Sequence, residues 1–178
     1  MVITKDDVKM ERRAEREDLA EVDELRAAIR GLPFQGNLIP RDSLEKAARL
    51  VLDARVHNAK LARLSEKLFK DLSSFRGIPS GRQRGKDRFL TQEEGRILAT
   101  TKNITPHLSN IANNLDYMIH LTKTHGHDGG NYISTNSGDA GKDVDSKLGL
   151  VRRDIQNLIG ILRGLFALEK QLEAALNR

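Results

Sequence analysis

The chain has no cysteine and no tryptophan, and only 4% of its 178 residues are aromatic. The missing cysteine excludes disulfides, thiolate metal sites and cysteine nucleophiles. The scarcity of bulky side chains disfavours the wide core of a sandwich or barrel, and favours helices packed side by side through Leu, Ala, Ile and Val. No stretch reaches the roughly 18 apolar residues that span a membrane, so we expect no membrane partner.

The N-terminal segment, MVITKDDVKMERRAERED, also lacks an apolar run. A secretory signal requires one, so secretion by that route is not expected. The expected location is the cytoplasm or a virion.

Apolar residues recur at helical spacing along most of the chain. A charged helix is predicted over residues 1–30, next to a bundle domain at residues 31–178. The first half of this helix is expected either to project into solvent or to pack on a partner. One long helix is predicted from Asp42 to about Phe75, and another from Val144 to Leu176. Between them, a short helix from Thr91 and a second from Thr105 are either separate or one kinked helix. The predicted fold is an elongated all-α bundle of four to five helices, without a confident strand.

Glycine and proline mark three predicted connections. Residues 31–40, GLPFQGNLIP, are expected to be irregular because they hold two Pro and two Gly. Residues 77–90, GIPSGRQRGKDRFL, form a predicted basic loop. Residues 126–143 form a Gly-rich loop, long for a helix–helix connection, which we interpret as a flexible connector that a partner orders.

The net charge of +5 is unevenly placed, since residues 41–100 carry 14 basic and 8 acidic side chains. A basic excess suits a polyanion or an acidic protein surface. Without interleaved aromatic side chains, contact with a nucleic-acid backbone would have weak sequence specificity. The alternative is a solvated helix face with pairs such as Glu66–Lys70. The candidate nucleic-acid-binding residues are Lys60, Arg63, Lys67, Lys70, Arg76, Arg82, Arg84, Lys86 and Arg88.

Two histidines one residue apart open the Gly-rich loop. The run His125-Gly126-His127-Asp128-Gly129 resembles the His-x-His segments, often continued by Asp-Gly, of bacteriophage tail-fibre and other virion proteins. In some of those fibres, paired histidines from three chains surround a metal ion on the trimer axis. The resemblance implies that His125 and His127, with Asp128 beside them, are candidate metal ligands. From the residues alone, the alternative is a helix end with solvated histidines.

No catalytic motif stands out. GRQRGK at residues 81–86 has the wrong glycine spacing for a phosphate loop, and Asp87 stands where Ser or Thr is needed. The chain has no Ser in a nucleophile elbow and no Glu-x-x-His pair for a di-iron bundle. We therefore expect no enzyme and no cofactor.

The last predicted helix is apolar on two sides, which is typical of a helix central in a bundle or shared between subunits. Its candidate interface residues are Leu158, Ile159, Leu162, Leu165 and Phe166. The leading hypothesis is a non-enzymatic structural or assembly subunit of a bacteriophage particle, bound to copies of itself or to other subunits. The alternative is a nucleic-acid-binding subunit of a ribonucleoprotein, similar to a small helical subunit of a CRISPR effector complex.

Overall fold

The computed structural model describes residues 5–33, 37–75 and 84–176. Within them the fold is all-α, as predicted: helices α1 (Lys5–Arg30), α2 (Arg41–Phe75), α3 (Arg84–His125) and α4 (Gly138–Leu176). Two three-residue strands, β1 (Leu38–Pro40) and β2 (Tyr132–Ser134), form the accompanying sheet. None of the helices in these ranges is long and apolar enough to cross a membrane.

Helices α1 and α2 follow the predicted bounds closely. Helix α1 ends at Arg30, before Gly31, a residue that favours helix termination. Helix α2 has Asp42 in its first turn, where a negative charge suits the helix dipole. Its inward positions Leu44, Ala47 and Val51 are buried, in agreement with the helical period.

Helix α3 corrects the predicted basic loop and settles the open question about its neighbours. It begins at Arg84, inside the stretch expected to be irregular, and continues through Pro106 to His125 as one helix. Proline removes one backbone hydrogen bond from a helix interior. Burial of Ile104 and Leu108 on either side of the proline helps the helix continue across that defect.

The Gly-rich segment is shorter and more ordered than predicted. Helix α4 begins at Gly138 rather than Val144, and β2 occupies Tyr132–Ser134. Strand β2 pairs antiparallel with β1 in the register Leu38↔Ser134, Ile39↔Ile133 and Pro40↔Tyr132. The expectation of no strand is therefore wrong, as are those of an irregular segment at Leu38–Pro40 and of a flexible connector at Tyr132–Ser134.

Contacts divide the chain differently from the predicted boundary at residue 30. Unit 1 comprises Met1–Leu19, Val56–Thr105 and Gly160–Arg178, and unit 2 comprises Ala20–Arg55 and Pro106–Ile159. Helix α1 therefore contributes to both units instead of forming a separate domain. Its residues Val22, Leu25 and Ile29 are buried in unit 2.

The core of unit 2 is built from all four helices and the sheet. Ile39 and Ile133, paired across the two strands, are both fully buried. The other buried apolar residues of this unit include Leu44, Leu108, Ile111, Leu115, Met118, Val144, Leu148, Val151 and Ile155. Among the described side chains of unit 1, the buried apolar residues are Leu61, Ile104, Leu162 and Leu165.

Candidate functional site

Backbone conformation and backbone hydrogen bonds define the turn that follows α3. Asp128, Gly129 and Gly130 all have positive φ angles, of 52°, 64° and 81°, a region that glycine enters without a steric penalty. The amide of His127 donates to the carbonyl of Tyr132 at 2.8 Å, and the amide of Asn131 donates back to the carbonyl of His127 at 3.1 Å. The segment is thus a defined turn that leads into β2.

Further hydrogen bonds tie this turn to the segment before α2. The amide of Arg41 donates to the carbonyl of Asn131 at 2.8 Å, and the amide of Thr135 donates to the carbonyl of Asn37 at 2.9 Å. The start of α4 packs equally closely, because a Cβ atom at Gly141 would lie 2.4 Å from the carbonyl oxygen of Ser134. The α3–α4 connection is therefore a built part of unit 2.

An open groove of about 410 Å³ lies where α3 ends and α4 begins. Its lining residues are Leu121, His125, Ser137, Asp139, Ala140 and Asp143, all in unit 2. Leu121 is nearly buried and gives the groove an apolar wall, whereas Asp139 and Asp143 are exposed. The hydroxyl of Tyr117 donates to Asp143 at 3.4 Å, so an aromatic side chain stands at its edge. We call these six lining residues the acidic groove.

The two histidines of the predicted metal site bond to neighbouring hydroxyl groups. The Nδ1 atom of His125 lies 2.8 Å from Thr124 Oγ1, and the Nε2 atom of His127 lies 3.1 Å from Ser137 Oγ. Asp128 accepts a hydrogen bond from the Asn131 side chain at 3.3 Å. In the part of the chain that the structure describes, no three His, Asp or Glu side chains converge as a metal site. A metal shared between copies stays a prediction of the resemblance.

The predicted nucleic-acid-binding residues fall into three groups. Lys60 and Arg63 are exposed on α2. Lys67 and Lys70 belong to α2, and Arg84, Lys86 and Arg88 belong to the first turns of α3, but their side chains lie outside the described part. Arg76 and Arg82 lie outside the described residues altogether. Of these candidates, the structure therefore shows two as exposed cations, Lys60 and Arg63, and it places residues 84–90 of the predicted basic loop in a helix.

Most residues of the predicted oligomer interface on α4 are buried within the single chain. Leu158, Ile159, Leu162 and Leu165 are at most 5% exposed within the single chain, and Phe166 is partly exposed. Helix α4 carries apolar residues on two sides because the chain's own helices cover them. Phe166 instead receives the guanidinium of Arg16, 5.5 Å from its ring centroid.

Among the described residues, the large aliphatic side chains that are exposed lie on α1 and α2, and the sequence analysis did not identify them. Leu52 and Val56 are 61% and 60% exposed on α2, and Met10 is 57% exposed on α1. Leu52 and Val56 fall out of phase with the buried positions Ala47, Val51 and Ala54. That phase difference was readable from the sequence, and it indicates apolar residues on the outer side of the helix.

The two units also differ in net charge, which counting along the sequence does not reveal because each unit is made of separate segments. Unit 1 holds 19 basic and 13 acidic residues, a net charge of +6, whereas unit 2 holds 11 and 12, a net of −1. The basic excess of the chain therefore belongs to unit 1. Within unit 2, residues 116–145 hold five aspartates against two lysines.

Comparison with known proteins yields no match: no family model fits the sequence, and no curated protein or solved structure proves similar to it.

Proposed function

We propose that the chain is a non-enzymatic assembly subunit that joins other protein chains through the outward side of α2. The supporting observation is the exposure of Leu52 and Val56, two branched aliphatic residues four positions apart on that helix. Residues at this spacing are neighbours on a helix surface. Apolar side chains grouped on a surface are typical of contacts with other proteins. A bacteriophage particle is one setting for such a subunit, on the strength of the resemblance at His125–Gly129.

Sedimentation velocity of the purified chain tests this proposal. The wild type should sediment as a species larger than a monomer, and Val56→Asp should shift it toward the monomer because an aspartate there cannot be desolvated cheaply. Since Val56 is already exposed, the substitution should leave the fold intact, as circular dichroism would verify. Asn113→Asp, an exposed position on α3, is the matched control and should sediment like the wild type. A wild type that stays monomeric at every concentration would contradict self-assembly.

A second candidate function is contact with the phosphate backbone of a nucleic acid, and the charge difference between the units favours it. The net charge of +6 in unit 1 and the exposure of Lys60 and Arg63 provide the electrostatic part of such contact. A subunit of a ribonucleoprotein would use such basic residues to bind the RNA backbone. The exposed side chains offer no stacking platform at Lys60 and Arg63, so binding should depend on salt more than on sequence.

Binding to a single-stranded oligonucleotide at several salt concentrations tests this second candidate. Lys60→Glu with Arg63→Glu should weaken binding and lower the salt slope by about 2, since each lost phosphate contact removes roughly one unit. Lys142→Glu with Lys147→Glu, an equal charge change in unit 2, is the control and should have a smaller effect. Equal losses for both pairs would indicate binding through total charge and would count against a site on unit 1.

A further inference from the structure

Two exposed surfaces of opposite charge lie on different units. The first is on α2 and consists of Val56, Ala59, Lys60 and Arg63, all exposed and all in unit 1; we call it the α2 patch. From Ala54 to Ser65 every charged side chain is basic, and the first carboxylate after that stretch is Glu66. The α2 patch therefore combines one large exposed aliphatic side chain with two cations and no acidic residue.

The second surface is the acidic groove of unit 2. It combines the carboxylates of Asp139 and Asp143 with the apolar wall of Leu121, and its lining includes no Lys or Arg. Tyr117, which is 40% exposed, stands beside Asp143 and adds apolar surface at the edge. The ammonium of Lys147 lies 5.4 Å from the Tyr117 ring centroid.

The two surfaces match in spacing as well as in charge. Lys60 and Arg63 are three residues apart on α2, and Asp139 and Asp143 are four apart on α4. Both spacings place side chains as neighbours on a helix, roughly 5–6 Å apart at Cβ. Val56 lies one turn from Lys60, so it can reach an apolar edge when the charges pair.

We infer that the α2 patch of one copy docks into the acidic groove of a second copy. This inference rests on the proposed assembly function and names the partner: another copy of this chain, bound by charge complementarity around an apolar contact. Because the two surfaces are different, the contact is head-to-tail: each copy contributes its α2 patch to one contact and its acidic groove to another.

A charge-swap experiment on the full-length chain tests the contact, with nuclease-treated protein in low salt. One variant carries Lys60→Glu and Arg63→Glu, and the other carries Asp139→Lys and Asp143→Lys. Each variant alone places like charges across the contact, so each should remain monomeric at concentrations at least about tenfold above the wild-type assembly midpoint. An equimolar mixture restores opposite charges at every contact and should assemble again as alternating copies. Light scattering reads the mass in each case.

The matched control lies on the same helix. Lys46 and Arg49 are exposed, three residues apart and in unit 2, so Lys46→Glu with Arg49→Glu makes the same charge change away from the α2 patch. The control should assemble like the wild type. Circular dichroism of each variant ensures that a monomer is a folded monomer.

The outcomes separate this inference from the proposed function. If the wild type assembles but a single variant also assembles, or the mixture stays monomeric, the head-to-tail contact is wrong and assembly through another surface stands. If the wild type is monomeric under the same conditions, the contact and self-assembly are both contradicted. Restoration only in the mixture, with the control unaffected, supports the contact.

Discussion

Unit 2 and unit 1 differ in their net charge and in the hydrogen bonds that join their segments. Unit 2 is close to electrically neutral, and hydrogen bonds join segments of it that are far apart in the sequence. The guanidinium of Arg152 donates to the carbonyl of Leu32, and His107 pairs with Asp154 at 2.8 Å. Unit 1 holds the net positive charge, and among its described side chains a partly buried hydrogen bond, from Asn58 Nδ2 to Thr105 Oγ1 at 3.1 Å, joins α2 to α3. The ordered sheet and turn therefore belong to the near-neutral unit, and the net positive charge is concentrated in the other.

The largest effect on stability should come from a substitution that creates a cavity in the core of unit 2. Leu115 on α3 is fully buried, so Leu115→Ala should lower the free energy of unfolding by about 2–5 kcal/mol through lost burial and a cavity. Leu52→Ala makes the same chemical change at a leucine that is 61% exposed, and should cost less than about 0.5 kcal/mol. Urea unfolding followed by circular dichroism compares them. Equal costs would contradict the assignment of Leu115 to the core.

A smaller loss of stability should follow from adding a side chain at Gly141, where α4 packs closely on the end of β2. A Cβ atom at Gly141 would lie 2.4 Å from Ser134 O and 2.7 Å from Thr135 O, both backbone atoms. Gly141→Ala should therefore cost about 1–3 kcal/mol, as overpacking does. Gly149→Ala on the same helix meets nothing within 4 Å and should instead stabilise the chain by about 0.5–1 kcal/mol. Thermal unfolding of the two variants gives the sign directly, and a stabilising Gly141→Ala would refute the close packing.

The smallest effect should come from the pair between α3 and α4. The side chains of His107 and Asp154 are 26% and 15% exposed, so their hydrogen bond is partly shielded from water. Asp154→Asn should lower stability by about 1 kcal/mol, and most of that loss should vanish in a background that already carries His107→Ala. Asp145→Asn, exposed on the same helix, is the control. Additive losses in the double variant would show that the two groups do not interact.

The sequence predicted the helices best where capping residues and periodicity agree. Helix α2 begins within one residue of the predicted Asp42 and ends at Phe75, and α1 ends at Arg30 as the following glycine indicates. The start of α3 was missed because the capping pattern beginning at Thr91 suggested a first turn there, whereas the helix already begins at Arg84.

The parts that could not be predicted depend on contacts between distant segments. A three-residue strand such as Leu38–Pro40 has little pattern of its own, and it forms because its partner, Tyr132–Ser134, lies 94 positions further along the chain. The same applies to the α4 residues assigned to an oligomer interface. Two apolar faces on one helix predict two covering surfaces, but the sequence cannot say whether those surfaces belong to the same chain.

The central claim, that the chain assembles with other protein chains, is tested most directly by size-exclusion chromatography with light scattering on the wild type, with absorbance read at 260 and 280 nm. The absence of tryptophan makes absorbance from any co-purified nucleic acid easy to detect. The account predicts a discrete species of several 19.9 kDa chains that is free of nucleic acid. A monomer that elutes with nucleic acid, released by salt, would contradict it and favour the phosphate-backbone function instead.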